Sequence, residues 1–234
     1  MLGTFVNIAA VLAGGALGLL LKGGIKDNYR TMLNYSLALT VLFIGFSGAL
    51  SNMLQPDANP LLFAVSLAIG GLVGEWMGIE RALERLGSFL QTKLSTGGDS
   101  TFSKGFVASS LLYCVGTMAI LGSLQSATEG THTILFAKSL LDGVMSIAMA
   151  SALGVGVLFS AFSVFVYQGS ITLLAQWISP FLTADMLREL SIVGGIILVA
   201  ISLNMLELTK IKTGNLLPAI LVPIVYYLVL GFFT

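Results

Sequence analysis

The sequence predicts an all-α integral membrane protein of about eight transmembrane helices, arranged as an inverted-topology repeat. Three observations predict it: the scarcity of charge, the length of the apolar runs, and the side on which the cations fall. Of 234 residues, 56% are hydrophobic and only 9% charged, with mean hydropathy +0.96. A soluble domain carries about 25% charged residues. A globule of this composition could not cover its surface with polar groups, so lipid is the solvent for much of the chain. The apolar runs reach the roughly 20 residues a helix needs to cross ~30 Å of hydrocarbon, and they do not alternate as barrel strands do.

The spans read as 2–21, 32–53, 60–80, 104–124, 133–151, 154–176, 186–207 and 215–233. The first lacks a basic leader and reads as a span, not a cleaved signal peptide. The apolar stretch Thr133–Trp177 is too long for one helix, and Ser151–Gly156 (SALGVG) is the natural hairpin within it. After span three, Ile79, Leu83, Leu86, Phe89, Leu90 and Leu94 recur at helical spacing, with Glu80, Arg81, Glu84, Arg85 and Lys93 opposite. Residues 79–94 therefore form an amphipathic helix, interfacial or extending span three into the cytosol. Ser95–Ser103 is a polar loop. Everything from 1 to 234 belongs to one transmembrane domain.

Charge placement tests the count, because lysine and arginine gather in cytoplasmic loops. Lys22, Lys26 and Arg30 follow span one; Arg81, Arg85, Lys93 and Lys104 follow span three; Lys210 and Lys212 follow span seven. With eight spans these nine share one face, leaving Arg188 on the other and Lys138 inside span five. Fusing spans five and six would put Lys210 and Lys212 on the wrong side. Both termini are thus expected outside the cytoplasm.

Residues 1–80 resemble 154–234 internally. At an offset of 154, Gly15, Leu19, Leu20, Met32 and Leu33 match Gly169, Leu173, Leu174, Met186 and Leu187; one residue of drift later, Ser36 and Ser47 match Ser191 and Ser202. Corresponding spans stand five apart in the chain, so the copies cross in opposite directions, the skeleton of many secondary transporters. Residues 104–151 lie between them.

Asp142, near the centre of span five, is the sharpest chemical signal. A carboxylate there costs at least about 2.5–3.5 kcal/mol, so it must face protein or water. Lys138 is its i,i+4 neighbour. The pair reads as an ion-coupling carboxylate with its counter-charge, or as a structural pair. A polar band surrounds it: Asn7; Ser123, Gln125 and Ser126; Ser139, Ser146 and Ser151; Ser160, Ser163, Gln168, Ser170 and Thr172. Such groups line solute paths or glue helices together. Gly14-Gly15 and Gln168-Gly169 occupy equivalent places in the repeat, as helix breaks that expose backbone to a solute would; the competing role is close packing through Gly14/Gly18 and Gly70/Gly74. The expected site residues are Asp142, Lys138, Gln125, Ser126, Gln168, Gly169, Ser146, Asn7, Gly14 and Gly15. Glu75 reads as a snorkelling or mouth-lining group.

Other classes are disfavoured. Net charge is zero, which implies no nucleic-acid partner. The single cysteine, Cys114, permits no disulfide framework, and one histidine, His132, with Glu129 makes no metal site. No nucleophile, zinc, phosphate-loop or dinucleotide motif is present, so neither enzyme activity nor a cofactor is expected.

The block CVGTMAILGSLQSATEG, then FAKSLLDGVMSIAMASALGVGVLFSAFSVFVYQGSIT, together with the opening GTFVNIAAVLAGGALG, resembles the bacterial YqgA/YdfK-type family of inner-membrane proteins, a domain of unknown function. The resemblance covers the whole chain. It implies a membrane or transport protein with no assigned substrate, and it puts Gly122, Ser123, Gln125, Ser126, Lys138, Asp142, Gly143, Ser146, Gln168 and Gly169 in the family's motifs. The expectation is a secondary transporter of a small ion or polar solute, as a homodimer, with a site near the bilayer midplane. The alternatives are a passive ion channel and a non-transporting scaffold subunit.

Overall fold

A computed structural model describes residues 1–22, 27–83, 85, 89, 102–114, 117–179 and 183–233. All the regular elements among them are helical: α1 (Leu2–Lys22), α2 (Asp27–Met53), α3 (Pro60–Met77), α4 (Phe102–Cys114), α5 (Thr117–Thr128), α6 (Thr133–Leu153), α7 (Gly156–Ile178), α8 (Ala184–Met205), a 3-10 helix (Thr213–Ile220) and α9 (Leu221–Phe233). Seven stretches are long and apolar enough to cross a membrane, and their bounds follow the sequence reading within a few residues. The fourth expected span, 104–124, is two helices, α4 and α5, bent by 56° across a break. Of the expected amphipathic helix 79–94, only 79–83, 85 and 89 are described; the rest, with loop residues 95–101, lies outside the described residues.

The termini of the helices follow from local chemistry. Asn59 caps α3, its side chain accepting from Leu61 N and Leu62 N at 3.1 and 3.3 Å, with Pro60 at the first turn, where no N–H is needed. Gly78 ends α3 in the left-handed region at φ 66°. Thr183 Oγ1 accepts from Met186 N at 3.2 Å to start α8. The α6–α7 hairpin turns at Gly154, φ 85°, within the predicted SALGVG segment.

The chain forms two compact units. The first holds Met1–Leu37 and Leu83–Ser179. Here α1 runs alongside α6 in the same direction: Gly3 faces Leu135, Gly14 the Gly143 carbonyl, and Gly18 the Ile147 carbonyl. Against α7 it runs antiparallel, Thr4 meeting Thr172 at 3.3 Å while Gly15 meets Leu158. α4 starts where α7 starts, Phe102 O lying over Gly156, and Ser110 donates to Ser163 at 2.9 Å. α5 passes the beginning of α6, with Gly122 against Ile134 and Leu135. Since α6 and α7 begin on opposite faces, the bent α4–α5 pair crosses from one to the other. Counted as a span, it gives the eight that the cations require.

The second unit holds Ala38–Ala82 and Pro180–Thr234. α2 and α8 are antiparallel, with Ser202 Oγ donating to Ala38 O at 2.6 Å and Gly45 against Gly195. α3 is antiparallel to the 3-10 helix, with Gly70 against Ala219 and Gly74 against the Asn215 carbonyl. The pairs α1/α7, α2/α8 and α3/3-10 helix join segments that the internal repeat would relate. Each unit therefore draws helices from both 1–80 and 154–234.

Candidate functional site

The first unit's polar residues converge on α6. Lys138 and Asp142, one turn apart on its buried face, form an ion pair through Lys138 Nζ and Asp142 Oδ2. Their side chains are 6% and 11% exposed. Asn7 on α1 donates from Nδ2 to Asp142 Oδ2 at 3.0 Å and to Gln168 Oε1 on α7 at 3.3 Å. Both amide residues are fully buried. Asp142 lies nine residues from the start of α6, and Gln168 nine from Trp177 at the same face. At 1.5 Å per residue that is ~14 Å of depth, close to half of a ~30 Å core. Of the residues expected from sequence, the structure brings Asn7, Lys138, Asp142 and Gln168 together here, with Asp142 and Gln168 about midway along their helices.

The polarity of the cluster is set by the acid. An ionised carboxylate only accepts hydrogen bonds, so Asn7 must turn its nitrogen toward Asp142. That nitrogen also faces Gln168, which must answer with its oxygen. The relay leaves two groups over. Asn7 Oδ1 and Gln168 Nε2, an acceptor and a donor, are buried without a hydrogen-bond partner among the described residues. Ser123 Oγ on α5, a helix that packs on α6 and α7, is in the same state. An unsatisfied buried group costs about 1–3 kcal/mol, so each such atom calls for an explanation.

The other expected site residues lie elsewhere. Ser146 hydrogen-bonds to the Tyr113 hydroxyl at 2.8 Å, and the Tyr113 ring stands 6.0 Å from Lys138 Nζ. Tyr113, buried on α4, was missed because a tyrosine in an apolar run reads as core. Ser126 pairs with His132 Nδ1 at 2.9 Å across the α5–α6 turn, and Gln125 is half-buried there. Of the two roles read from sequence for Gly14 and Gly15, the structure shows close packing. α1 passes through them without a break, as α7 does through Gln168 and Gly169. A methyl group on Gly14 would lie 2.1 Å from Gly143 O and one on Gly15 2.6 Å from Leu158 Cδ1, so both serve packing. Gly169 meets only the end of the Met1 side chain, at 3.9 Å.

The second unit carries two polar groups at its ends. Glu75 pairs with Lys212 and Asn215, both at 2.6 Å, in a half-exposed position. At the other end Glu189, which sequence reasoning overlooked, is fully buried. Its Oε1 accepts from Asn59 N at 2.8 Å, and its Oε2 has no partner among the described residues. Arg188 beside it holds the Asp57 carbonyl at 2.7 Å and Asp185 at 2.8 Å. Adjacent opposite charges at the start of a span read as a solvated flank, which hid Glu189; its place one turn inside the apolar run was the available signal.

Comparison with known proteins finds relatives along nearly the whole chain. The "Uncharacterized membrane protein YdfK" of Bacillus subtilis (strain 168) is 36% identical over 233 residues, 100% of this chain and 98% of the relative. The "Uncharacterized protein YqgA" of Escherichia coli (strain K12) is 28% identical over 225 residues, 94% of each. No solved structure matches. The model of the family described as "Protein of unknown function (DUF554)" matches residues 2–228, and the chain belongs to that family.

Proposed function

We propose that this membrane protein is a secondary transporter of a small ion or small polar solute, with its central site at Asn7, Lys138, Asp142 and Gln168. The observation that carries the reading is the pair of fully buried amide atoms, unpartnered among the described residues, beside a charged pair about midway along α6. Intramembrane charges mark solute and ion pathways. The antiparallel pairing of α1 with α7, α2 with α8 and α3 with the 3-10 helix is the packing an inverted repeat produces, and it supports alternating access about a midplane site. The side chains of Lys138 and Asp142 are nearly enclosed, as the occluded state of such a cycle would hold them. The protein sits in the bacterial inner membrane, both termini outside the cytoplasm, as a homodimer.

The closure of Lys138 on Asp142 favours one other reading: a polar clasp joining α1, α6 and α7 with no passenger. Flux into proteoliposomes, measured with a panel of ions and small metabolites, separates the two. A transporter loses flux in Asp142→Asn and stays inactive, though folded, in Asp142→Asn with Lys138→Gln. A clasp shows no flux beyond protein-free vesicles in any form. Counterflow separates a transporter from a passive channel.

A further inference from the structure

The donor and acceptor complement of the site restricts what it can hold. Lys138 and Asp142 cancel, so a passenger with net charge would enter a low-dielectric site that offers it no opposite charge. A cation would have to displace Lys138 from Asp142, and an anion Asp142 from Lys138, each leaving one buried charge uncompensated. What the site leaves over is neutral and directional: the Asn7 Oδ1 acceptor and the Gln168 Nε2 donor, both on fully buried side chains. Their orientation is not adjustable while Asp142 is ionised, because the relay from Asp142 through Asn7 to Gln168 fixes each amide.

Resting on the transport reading, we infer that the passenger is a small, uncharged, hydrogen-bonding molecule that presents at least one donor to Asn7 Oδ1 and one acceptor to Gln168 Nε2. The class runs from water to simple amides and short polyols. Sites built to pair a hydroxyl or amide discriminate strongly against analogues that lack it, because the protein's own buried groups are then left unpaired. The ion pair acts on selectivity through position. It holds the two amides in register and excludes net charge.

The test uses the full-length protein in proteoliposomes, with stopped-flow light scattering to follow water, urea, acetamide and glycerol, and tracer uptake to follow sodium, potassium, chloride and phosphate. The expected result is entry of one or more uncharged solutes well above protein-free vesicles, with no ion uptake. Gln168→Leu and Asn7→Leu, close in size but unable to hydrogen-bond, should each lower that flux roughly ten- to a hundredfold. Ion uptake without uncharged-solute flux overturns this inference and leaves the transport reading standing. Uncharged-solute flux that survives Gln168→Leu also overturns it, since the path then bypasses the amides. No flux of any kind removes the transport reading itself. If a leucine variant fails to fold, the comparison of uncharged solutes with ions on the unsubstituted chain still decides the matter.

Discussion

At the scale of single residues, the dominant quantity is the cost of a buried charge that loses its partner. Asp142→Asn leaves Lys138 enclosed without a counter-charge, which costs about 3–5 kcal/mol. Adding Lys138→Gln removes the stranded charge, so the double variant should regain most of that loss. Thermal unfolding of the single and double variants in lipid nanodiscs measures the coupling; additive losses would mean that the pair does not interact. Glu189 gives a second case. Its Oε1 accepts the Asn59 amide at the start of α3, where the helix dipole favours an acceptor and a negative charge. Glu189→Leu should cost about 1–3 kcal/mol by orphaning that amide, and Glu189→Gln, which keeps an acceptor, clearly less. Both effects show as shifts of the unfolding midpoint. The sequence made the first case visible and concealed the second. Lys138 and Asp142 are four residues apart in an apolar run, so their pairing is a local property. The bond from Glu189 to Asn59 joins residues 130 positions apart, and nothing in the linear pattern links them.

At the scale of helices, small residues set how closely backbones approach. A methyl group on Gly14 would stand 2.1 Å from Gly143 O, and one on Gly18 2.3 Å from Ile147 O. These obstacles are backbone atoms, so α1 would have to move off α6, carrying Asn7 away from Asp142. Gly14→Ala and Gly18→Ala should each lose about 1–3 kcal/mol. Gly71→Ala, whose nearest neighbour is the end of the Leu216 side chain at 3.4 Å, should be neutral or gain up to about 1 kcal/mol of helix propensity. Yield of monodisperse protein and the unfolding midpoint report both; equal losses at all three positions would discount backbone contact as the cause. Helix existence was easy to read, because an apolar run of about 20 residues has few other homes. The bend between α4 and α5 was not, since hydropathy is continuous through Tyr113–Ala119 and carries no sign of direction. The glycine pair at 14–15 left a break and close packing both open to composition, and packing against Gly143 and Leu158 with the helix intact decides between them.

At the scale of the molecule, the number of crossings decides which residues can share a face of the membrane. α6 and α7 are separate antiparallel helices joined at Gly154, and the bent α4–α5 pair runs from the α7 start to the α6 start. Each adds one reversal. With both counted, Lys210 and Lys212 fall on the same side as the cations after spans one and three, as the distribution of basic residues demands. With either omitted, that agreement is lost. Cysteine accessibility turns this into a measurement, because Cys114 is the chain's sole cysteine and can be replaced by alanine to give a blank background. Asp57, Glu129 and Lys210 are exposed in turns or loops, so a cysteine at each should be tolerated. Asp57→Cys and Glu129→Cys should react with a membrane-impermeant maleimide added to intact spheroplasts. Lys210→Cys should react only after the membrane is opened. Labelling of Lys210→Cys from outside together with Asp57→Cys would mean an even number of crossings between 57 and 210. In that event the two copies, 1–80 and 154–234, would run parallel, and the pseudo-symmetric pair of gates required for alternating access would have no structural basis.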